Sequence, residues 1–480
     1  MNTLEVDVAV IGAGTAGLAA YRAAKSHGKR VVLIEGGPYG TTCARVGCMP
    51  SKLLIAAADA AHSVGAAAAF GVHPGPLRID GKQVMARVRA ERDRFVGFVV
   101  DGVEKIPAAD RLQGHARFVD AAHLQVDQHT LVAAERFVIA TGSSPIVPPA
   151  LQAAGDRVLV NDDVFSWDSL PASLAVIGTG IIGLELGQAL HRLGVRVTIF
   201  GRSKALAQLS DPAVLEVGAR CLAAECDLRL DSKILETRDD GDGVLLRSLG
   251  ADGSEKSERY DFVLAATGRA PNVSGLGLEH AGIALDARGI PLFDSHTMQC
   301  GASAIFIAGD VNSERPLLHE AADQGRIAGD NAGRYPAIAA GLRRTPLAIV
   351  FSDPQIATVG ETFASLTASM AGKFAIGQVS FEDQGRSRVM LQNHGLLRVY
   401  GEYGSGQFLG AEMIAPRAEH LGHLLAWACQ NKMTVEQMLQ MPFYHPVVEE
   451  GVRTALRDLD EKLLHGLPEI EHCTDCTPGM

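Results

Sequence analysis

One pattern occurs twice in this chain and constrains its fold more than any other. Val8-Ala9-Val10-Ile11 runs into Gly12-x-Gly14-x-x-Gly17, and Leu174-Ala175-Val176-Ile177 runs into Gly178-Thr179-Gly180-Ile181-Ile182-Gly183. In each copy a glycine, Gly28 or Gly194, follows 11 residues after the last glycine of the turn, and an apolar run comes next, Val31–Ile34 or Val195–Phe200. Each copy reads strand, glycine-rich turn, helix, strand, which is a βαβ unit of parallel sheet. A lone GxGxxG is weak, but two with matched flanks make coincidence a poor account. The first glycine makes a tight turn, the second lets the backbone approach a pyrophosphate, and the third lets helix and strand pack closely. The helix N-terminus then faces the phosphates. Gly12, Gly14 and Gly17, and again Gly178, Gly180 and Gly183, are therefore expected to hold dinucleotides.

The residue that ends the second strand of each unit bears on which dinucleotide. In the first copy it is Glu35, whose carboxylate accepts hydrogen bonds from ribose hydroxyls and repels a 2′-phosphate. In the second it is Gly201, followed by Arg202 and Lys204. Cations without an acid favour a 2′-phosphate, and so NADP(H) over NAD(H); a solvated basic loop is the plainer alternative.

A chain of 480 residues exceeds one core and predicts about three domains. Pro145, Pro148 and Pro149 mark entry into an inserted segment, and Gly268-Arg269-Ala270-Pro271-Asn272 marks the exit. Residues 151–270 are thus expected to interrupt a first domain made of 1–150 and 271–342. Ala304–Asp310 reads as an apolar strand returning to it, with Asp310 facing ligand, unless Gly309-Asp310 is a plain turn. Residues 343–466 read as an α+β domain. Its predicted strands are Phe374–Phe381, Val389–Leu391, Gly395–Tyr400 and Phe408–Met413; its predicted helices are Glu419–Lys432 and Glu449–Leu464. Residues 467–480 are a polar tail.

Just past the first unit's second strand lie two cysteines, in Gly40-Thr41-Thr42-Cys43-Ala44-Arg45-Val46-Gly47-Cys48-Met49-Pro50-Ser51-Lys52. Eight cysteines in a chain this long are no disulfide scaffold, and a close pair then reads as catalytic or metal-binding. Cys43 and Cys48 sit where a helix would start, and the unpaired N–H groups of a first turn favour a thiolate. Cys221-x4-Cys226 has the same spacing without those flanks and reads as core. A net charge of −11 argues against nucleic acid as a partner. The first residues lack a basic n-region, and the Ala-rich run Ile55–Phe70 is broken by Asp59, His62 and Ser63. No signal peptide, membrane span or membrane partner is therefore expected, and the chain is expected to be cytoplasmic.

These residues together resemble the FAD-dependent pyridine nucleotide–disulfide oxidoreductases, the family of dihydrolipoamide dehydrogenase, glutathione reductase and mercuric reductase, over roughly residues 5–465. The cysteine segment carries the resemblance. Ala140-Thr141-Gly142, Gly178–Glu185, Ala266-Thr267-Gly268-Arg269-x-Pro271-Asn272, Gly309-Asp310 and His445-Pro446 with Glu450 support it. The resemblance implies an α/β fold of two Rossmann-like domains, one for FAD and one for NAD(P), the second inserted in the first, plus a C-terminal α+β dimerisation domain. It implies a homodimer in which His445, oriented by Glu450, serves the partner's cysteines. Cys43 would be the interchange thiol and Cys48 the thiolate facing the flavin. Lys52 would lie near the flavin and pair with Glu185. FAD would be held by Gly12, Gly14, Gly17, Glu35, Thr42, Lys52, Thr141, Gly142 and Asp310; NAD(P)(H) by Gly178, Gly180, Gly183, Arg202 and Gly268. No residue is assigned to a metal.

The substrate would be a small dithiol or disulfide, with a lipoyl group on a carrier protein one candidate. Ser51-Lys52 and the Ala266–Arg269 motif match dihydrolipoamide dehydrogenases. Tyr21 with Arg22 only partly matches glutathione reductases, and mercuric reductases typically lack the His-Pro base. Arg45, Val447-Val448, Glu449 and Arg202 depart from the lipoamide pattern, so an NADPH-dependent reductase of another small disulfide stays open. So does a flavoprotein that moves hydride between nicotinamides or to quinones. Cys473 and Cys476 in the tail read as incidental thiols, a second redox pair, or metal ligands with His472.

Overall fold

A computed structural model describes residues 2–464, which divide into two compact units. Of the described residues, one unit comprises 2–172, 192–194 and 262–343; the other comprises 173–191, 195–261 and 344–464. The three-part division predicted from the sequence is finer than this. The tail cysteines Cys473 and Cys476 lie outside the described residues.

The first unit is built on β1 (Asn2–Ile11), α1 (Thr15–Ser26) and β2 (Val31–Glu35). β1 lies between β2 and strand Thr130–Ile139, parallel to both. Strand Ile305–Ile307 adds in parallel to the far half of Thr130–Ile139, whose near half pairs antiparallel with His123–Val126. Val8, Val10, Leu33, Phe137 and Phe306 are fully buried. Both faces of these strands are covered, which is why they read as unbroken apolar runs. Each such side chain stabilises the fold by about 1.5–3 kcal/mol. Helix Leu318–Arg334 lies against α1. A Cβ on its Gly325 or Gly329 would stand 2.2 Å from the carbonyl oxygens of Ala16 and Ala20, so the approach requires glycine.

The cysteine segment forms two helices rather than one start: α2 (Thr42–Val46) and α3 (Cys48–Ala66), broken at Gly47. The run Thr42–Phe70 is long enough to cross a membrane, and an 18-residue window in it reaches a mean hydropathy of 1.5, contrary to the sequence reading, though only 22% of that window is buried. Asp59, His62 and Ser63 are too few to offset its alanines. Leu54, Ala58 and Ala61 of α3 are buried inside this unit.

The second unit repeats the motif as β3 (Ser173–Ile177), α4 (Ile181–Arg192) and β4 (Arg196–Phe200), and Asp227–Arg229 extends it in parallel. Its C-terminal part is a five-stranded antiparallel sheet. The order is Leu347–Val350, Gln355–Gly360, Phe408–Ala415, Leu396–Glu402, Phe374–Ser380. Helices Ala418–Gln430 and Glu450–Leu464 pack on it. The predicted strand Val389–Leu391 is instead the last residue of helix Gly385–Val389 and the turn that follows it; the Gln384 side chain caps that helix by accepting the Ser387 N–H at 2.7 Å.

Candidate active site

The two glycine turns are built alike. The Gly12 N–H donates to Ile34 O at 2.7 Å, and the Gly178 N–H to Phe200 O at 2.8 Å; both glycines have positive φ, +103° and +125°. Gly17 lies so close beneath Gly12 that a Cβ there would come within 1.7 Å of the Gly12 oxygen. A Cβ on Gly14 or Gly180 would meet nothing within 4 Å. The first turn is closed from below and both are open above, at the N-termini of α1 and α4, and so fit a pyrophosphate there. Glu35 braces the first turn, its carboxylate accepting the N–H groups of Ala13 (2.7 Å) and Gly37 (2.8 Å). Arg202 is exposed, and Lys204 stands 4.0 Å from Asp231.

Asp310 follows strand Ile305–Ile307 and accepts the Ser143 hydroxyl at 2.9 Å. Arg269 grips the same serine, donating from Nε to its Oγ (2.9 Å) and from Nη2 to its carbonyl (2.6 Å). Thr141 donates its hydroxyl to Asn272 O, and Gly142 O accepts the Asn272 N–H. These two predicted cofactor residues thus tie the motif at 140–142 to the one at 266–272. Gly268, assigned from sequence with the second turn, falls in the first unit and is exposed.

Cys43 is the second residue of α2, whose first turn is capped by the Thr41 hydroxyl accepting the Ala44 N–H; Thr42, beside it, is exposed. Cys48 opens α3 and is exposed, while Cys43 is half-buried; both are unbridged. A hydrogen bond with the Cys48 thiol pushes the Cys43 thiol up, and burial adds to this; the backbone at Cys48 and the charge of Lys52 act the other way. Asn161 holds the loop between the two cysteines, its amide donating to Val46 O at 2.8 Å. Asp162 beside it is pushed up by burial and drawn down by Arg269. Ser143, Asn161 and the grip of Arg269 escaped the sequence reading; only the Arg269 motif offered a signal.

In the second unit Glu185 is buried on α4, accepting the Phe351 N–H at 2.9 Å. Lys52 is on α3 of the first unit. His445 and Glu450 do meet: the imidazole Nδ1 lies 3.0 and 3.2 Å from the carboxylate oxygens. That carboxylate also accepts Val447 N–H (3.3 Å) and Arg453 Nη2 (2.9 Å), an Arg453 contact not foreseen from sequence. The hydrogen bond from His445 holds Glu450 below the usual carboxylate range. The imidazole's Nε2 edge is free to face outward, since the His445 side chain is 80% exposed.

Cys221 and Cys226 are a half-buried and a buried cysteine in and after helix Pro212–Ala223. Among the described residues no group of His, Cys, Asp and Glu is placed to hold a metal.

Residues 6–325 match the family model for pyridine nucleotide–disulphide oxidoreductases, and residues 347–456 match that family's dimerisation domain. The chain is 32% identical to the dihydrolipoyl dehydrogenase of Haloferax volcanii over 473 residues, 96% of this chain and 98% of the relative. It is 33% identical to the mercuric reductase of Shigella flexneri over 468 residues, 95% of this chain and 81% of that one. Among solved structures it resembles LpdA from Mycobacterium tuberculosis at TM-score 0.79 and 27% identity, covering 94% and 99% of the two chains. It shares its fold with the HOCl-induced flavoprotein disulfide reductase RclA from Escherichia coli, at TM-score 0.78 and 24% identity, covering 95% and 99%. The doubled glycine turn, the paired thiols and these matches agree: the chain belongs to the class I pyridine nucleotide–disulfide oxidoreductases, flavoenzymes that use FAD with NAD(P)H.

Proposed function

We propose that this flavoenzyme exchanges electrons between NADP(H) and a small dithiol/disulfide of the dihydrolipoamide type, through a Cys43–Cys48 disulfide, as a cytoplasmic homodimer. The observation that carries this reading is the thiol–thiol contact of Cys43 and Cys48 across the break between α2 and α3. Residues 1–150 with 271–342 would be the flavin part, 151–270 the nicotinamide part, and 343–466 the dimer part. FAD supplies the two-electron link between nicotinamide and sulfur.

In the oxidising direction, a substrate thiolate attacks Cys43 Sγ, the Cys43–Cys48 bond breaks, and Cys48 leaves as the thiolate. The substrate's second thiol then attacks its own mixed-disulfide sulfur. Cys43 is released and the substrate disulfide closes, leaving two electrons on the cysteine pair. The protons of the two substrate thiols pass through His445 Nε2 of the partner subunit. Its Nδ1 partner Glu450 stabilises the imidazolium that forms. The hydrogen-bonded His445–Glu450 pair favours a disulfide substrate over a mercuric ion, for which no thiol base is required. Gly201-Arg202 favours the NADPH-dependent variant of the reading.

The test is turnover by the purified enzyme: dihydrolipoamide with NAD⁺ or NADP⁺ against NADPH-dependent reduction of small disulfides, with Cys43→Ser as control. Cys43→Ser should lose all disulfide turnover and keep its FAD. Wild-type rates in that variant would sink the assignment.

A further inference from the structure

Position 201, where an NAD-binding βαβ unit carries the acid that binds the adenine ribose, is closed by packing. Gly201 is buried, and its φ lies outside the left-handed region, so the backbone alone would accept any residue. A Cβ built on it would stand 2.9 Å from Thr179 Cγ2, 2.9 Å from Leu230 Cδ2 and 3.1 Å from Ser203 O. The backbone cannot slide away to relieve this. The Gly201 N–H donates to Arg229 O at 2.9 Å, and Gly201 O accepts the Ser232 N–H at 2.8 Å.

The three neighbours do not resist equally. Leu230 Cδ2 is the end of a flexible side chain and can turn aside. Ser203 O must give by a few tenths of an ångström. Thr179 is fixed. It is 9% exposed, it is β-branched, and its hydroxyl donates to Ala205 O at 2.7 Å, while its own carbonyl accepts the Ala207 N–H at 2.7 Å. Those two bonds also sew the loop that carries Arg202 and Lys204 to the glycine turn. Downstream, the loop is anchored again: the fully buried Glu412 carboxylate accepts the N–H groups of Ser210 and Asp211.

We propose that Thr179 is a specificity-determining positioning residue: its methyl group shuts position 201 to a ribose-binding carboxylate, while its hydroxyl and carbonyl hold the cationic loop in place. Nucleotide choice in this chain is then set by the Thr179–Gly201 contact as well as by the charge of Arg202. This rests on reading the second glycine turn as the nicotinamide-nucleotide site.

The experiment is a double-mutant cycle of Gly201→Glu and Thr179→Ser, with Kd and kcat/KM measured for NADPH and NADH on the FAD-loaded dimer. Serine removes Cγ2 and keeps both ties to the loop. Gly201→Glu alone should weaken NADPH at least 10-fold without improving NADH, because the new Cβ displaces the loop. In the double variant NADH should improve at least 10-fold over Gly201→Glu, beyond the sum of the single effects. Gly201→Ala, alone and with Thr179→Ser, repeats the packing test without new charge, so the conclusion survives if Gly201→Glu does not fold. Equal NADH values for Gly201→Glu with and without Thr179→Ser, or no relief of Gly201→Ala, would overturn the role of Thr179. A wild-type enzyme indifferent to the 2′-phosphate would instead overturn the NADP reading, a separate outcome.

Discussion

Two glycines of the first turn should fail for different reasons when changed to alanine. At Gly17 the added carbon would lie 1.7 Å from the Gly12 oxygen, whereas real Cβ atoms stay beyond 3.0 Å, so α1 must retreat by at least 1.3 Å from the turn. Overpacking of that size costs about 3 kcal/mol or more. At Gly14 the backbone is extended, φ −76° and ψ −173°, and nothing lies within 4 Å of the new carbon. Restricting the unfolded chain stabilises by about 0.4–1 kcal/mol, and alanine is a weaker N-cap than glycine. The FAD-free protein should therefore stay within about 1 kcal/mol of wild type. FAD is another matter, because the methyl group would stand where the pyrophosphate meets the helix. Losing one or two charge-assisted hydrogen bonds at about 1.5–3 kcal/mol each predicts a drop in FAD affinity on the order of 100-fold. The assay is urea unfolding of the FAD-stripped variants beside titration with FAD. Wild-type FAD affinity in Gly14→Ala, or Gly17→Ala apoprotein as stable as wild type, would contradict this account of the turn.

His445→Ala should lower turnover on the order of 100-fold or more; mixing it with Cys43→Ser subunits should restore activity in verified heterodimers, and no recovery would show that the histidine does not act in trans. Glu450, held down first by His445, adds stability above the unfolded glutamate value of about 4.3 that is lost only as pH falls through its lower folded value. NMR titration should therefore find its midpoint below that of an ordinary glutamate, and an unshifted midpoint would contradict the clasp. Arg202→Glu should shift preference from NADP(H) toward NAD(H), and unchanged kcat/KM for both nucleotides would remove Arg202 from the site. Glu412→Gln leaves two of the four donors on this carboxylate, from Ser210 (N–H and O–H), Asp211 and Phe363, facing an amide NH2 instead of an acceptor. It should destabilise by about 2–6 kcal/mol in urea, and a loss under about 1 kcal/mol would speak against the network.

The two βαβ units were legible in the residues themselves, because glycine is the residue that can hold φ near +103° at Gly12 or lie 1.7 Å from a carbonyl at Gly17. A backbone demand of that kind is written in the residue type. The Cys43/Cys48 pair was legible too, in its five-residue spacing and its flanks, whereas His445 with Glu450 came only from the family resemblance, since one histidine among 16 carries no signal of its own. Helix content near Val389 misread as strand, since apolar spacing carried no trace of the Gln384 cap. Length and composition likewise did not separate Thr42–Phe70 from a membrane span. The long-range contacts came from the folded chain alone. Arg269 and Asp310 both close on Ser143, Asn161 reaches Val46 across 115 positions, and Thr179 meets Gly201. In each case the partner is chosen by how strands and turns from distant segments stack, and no periodicity in the chain records which atoms that stacking brings into contact.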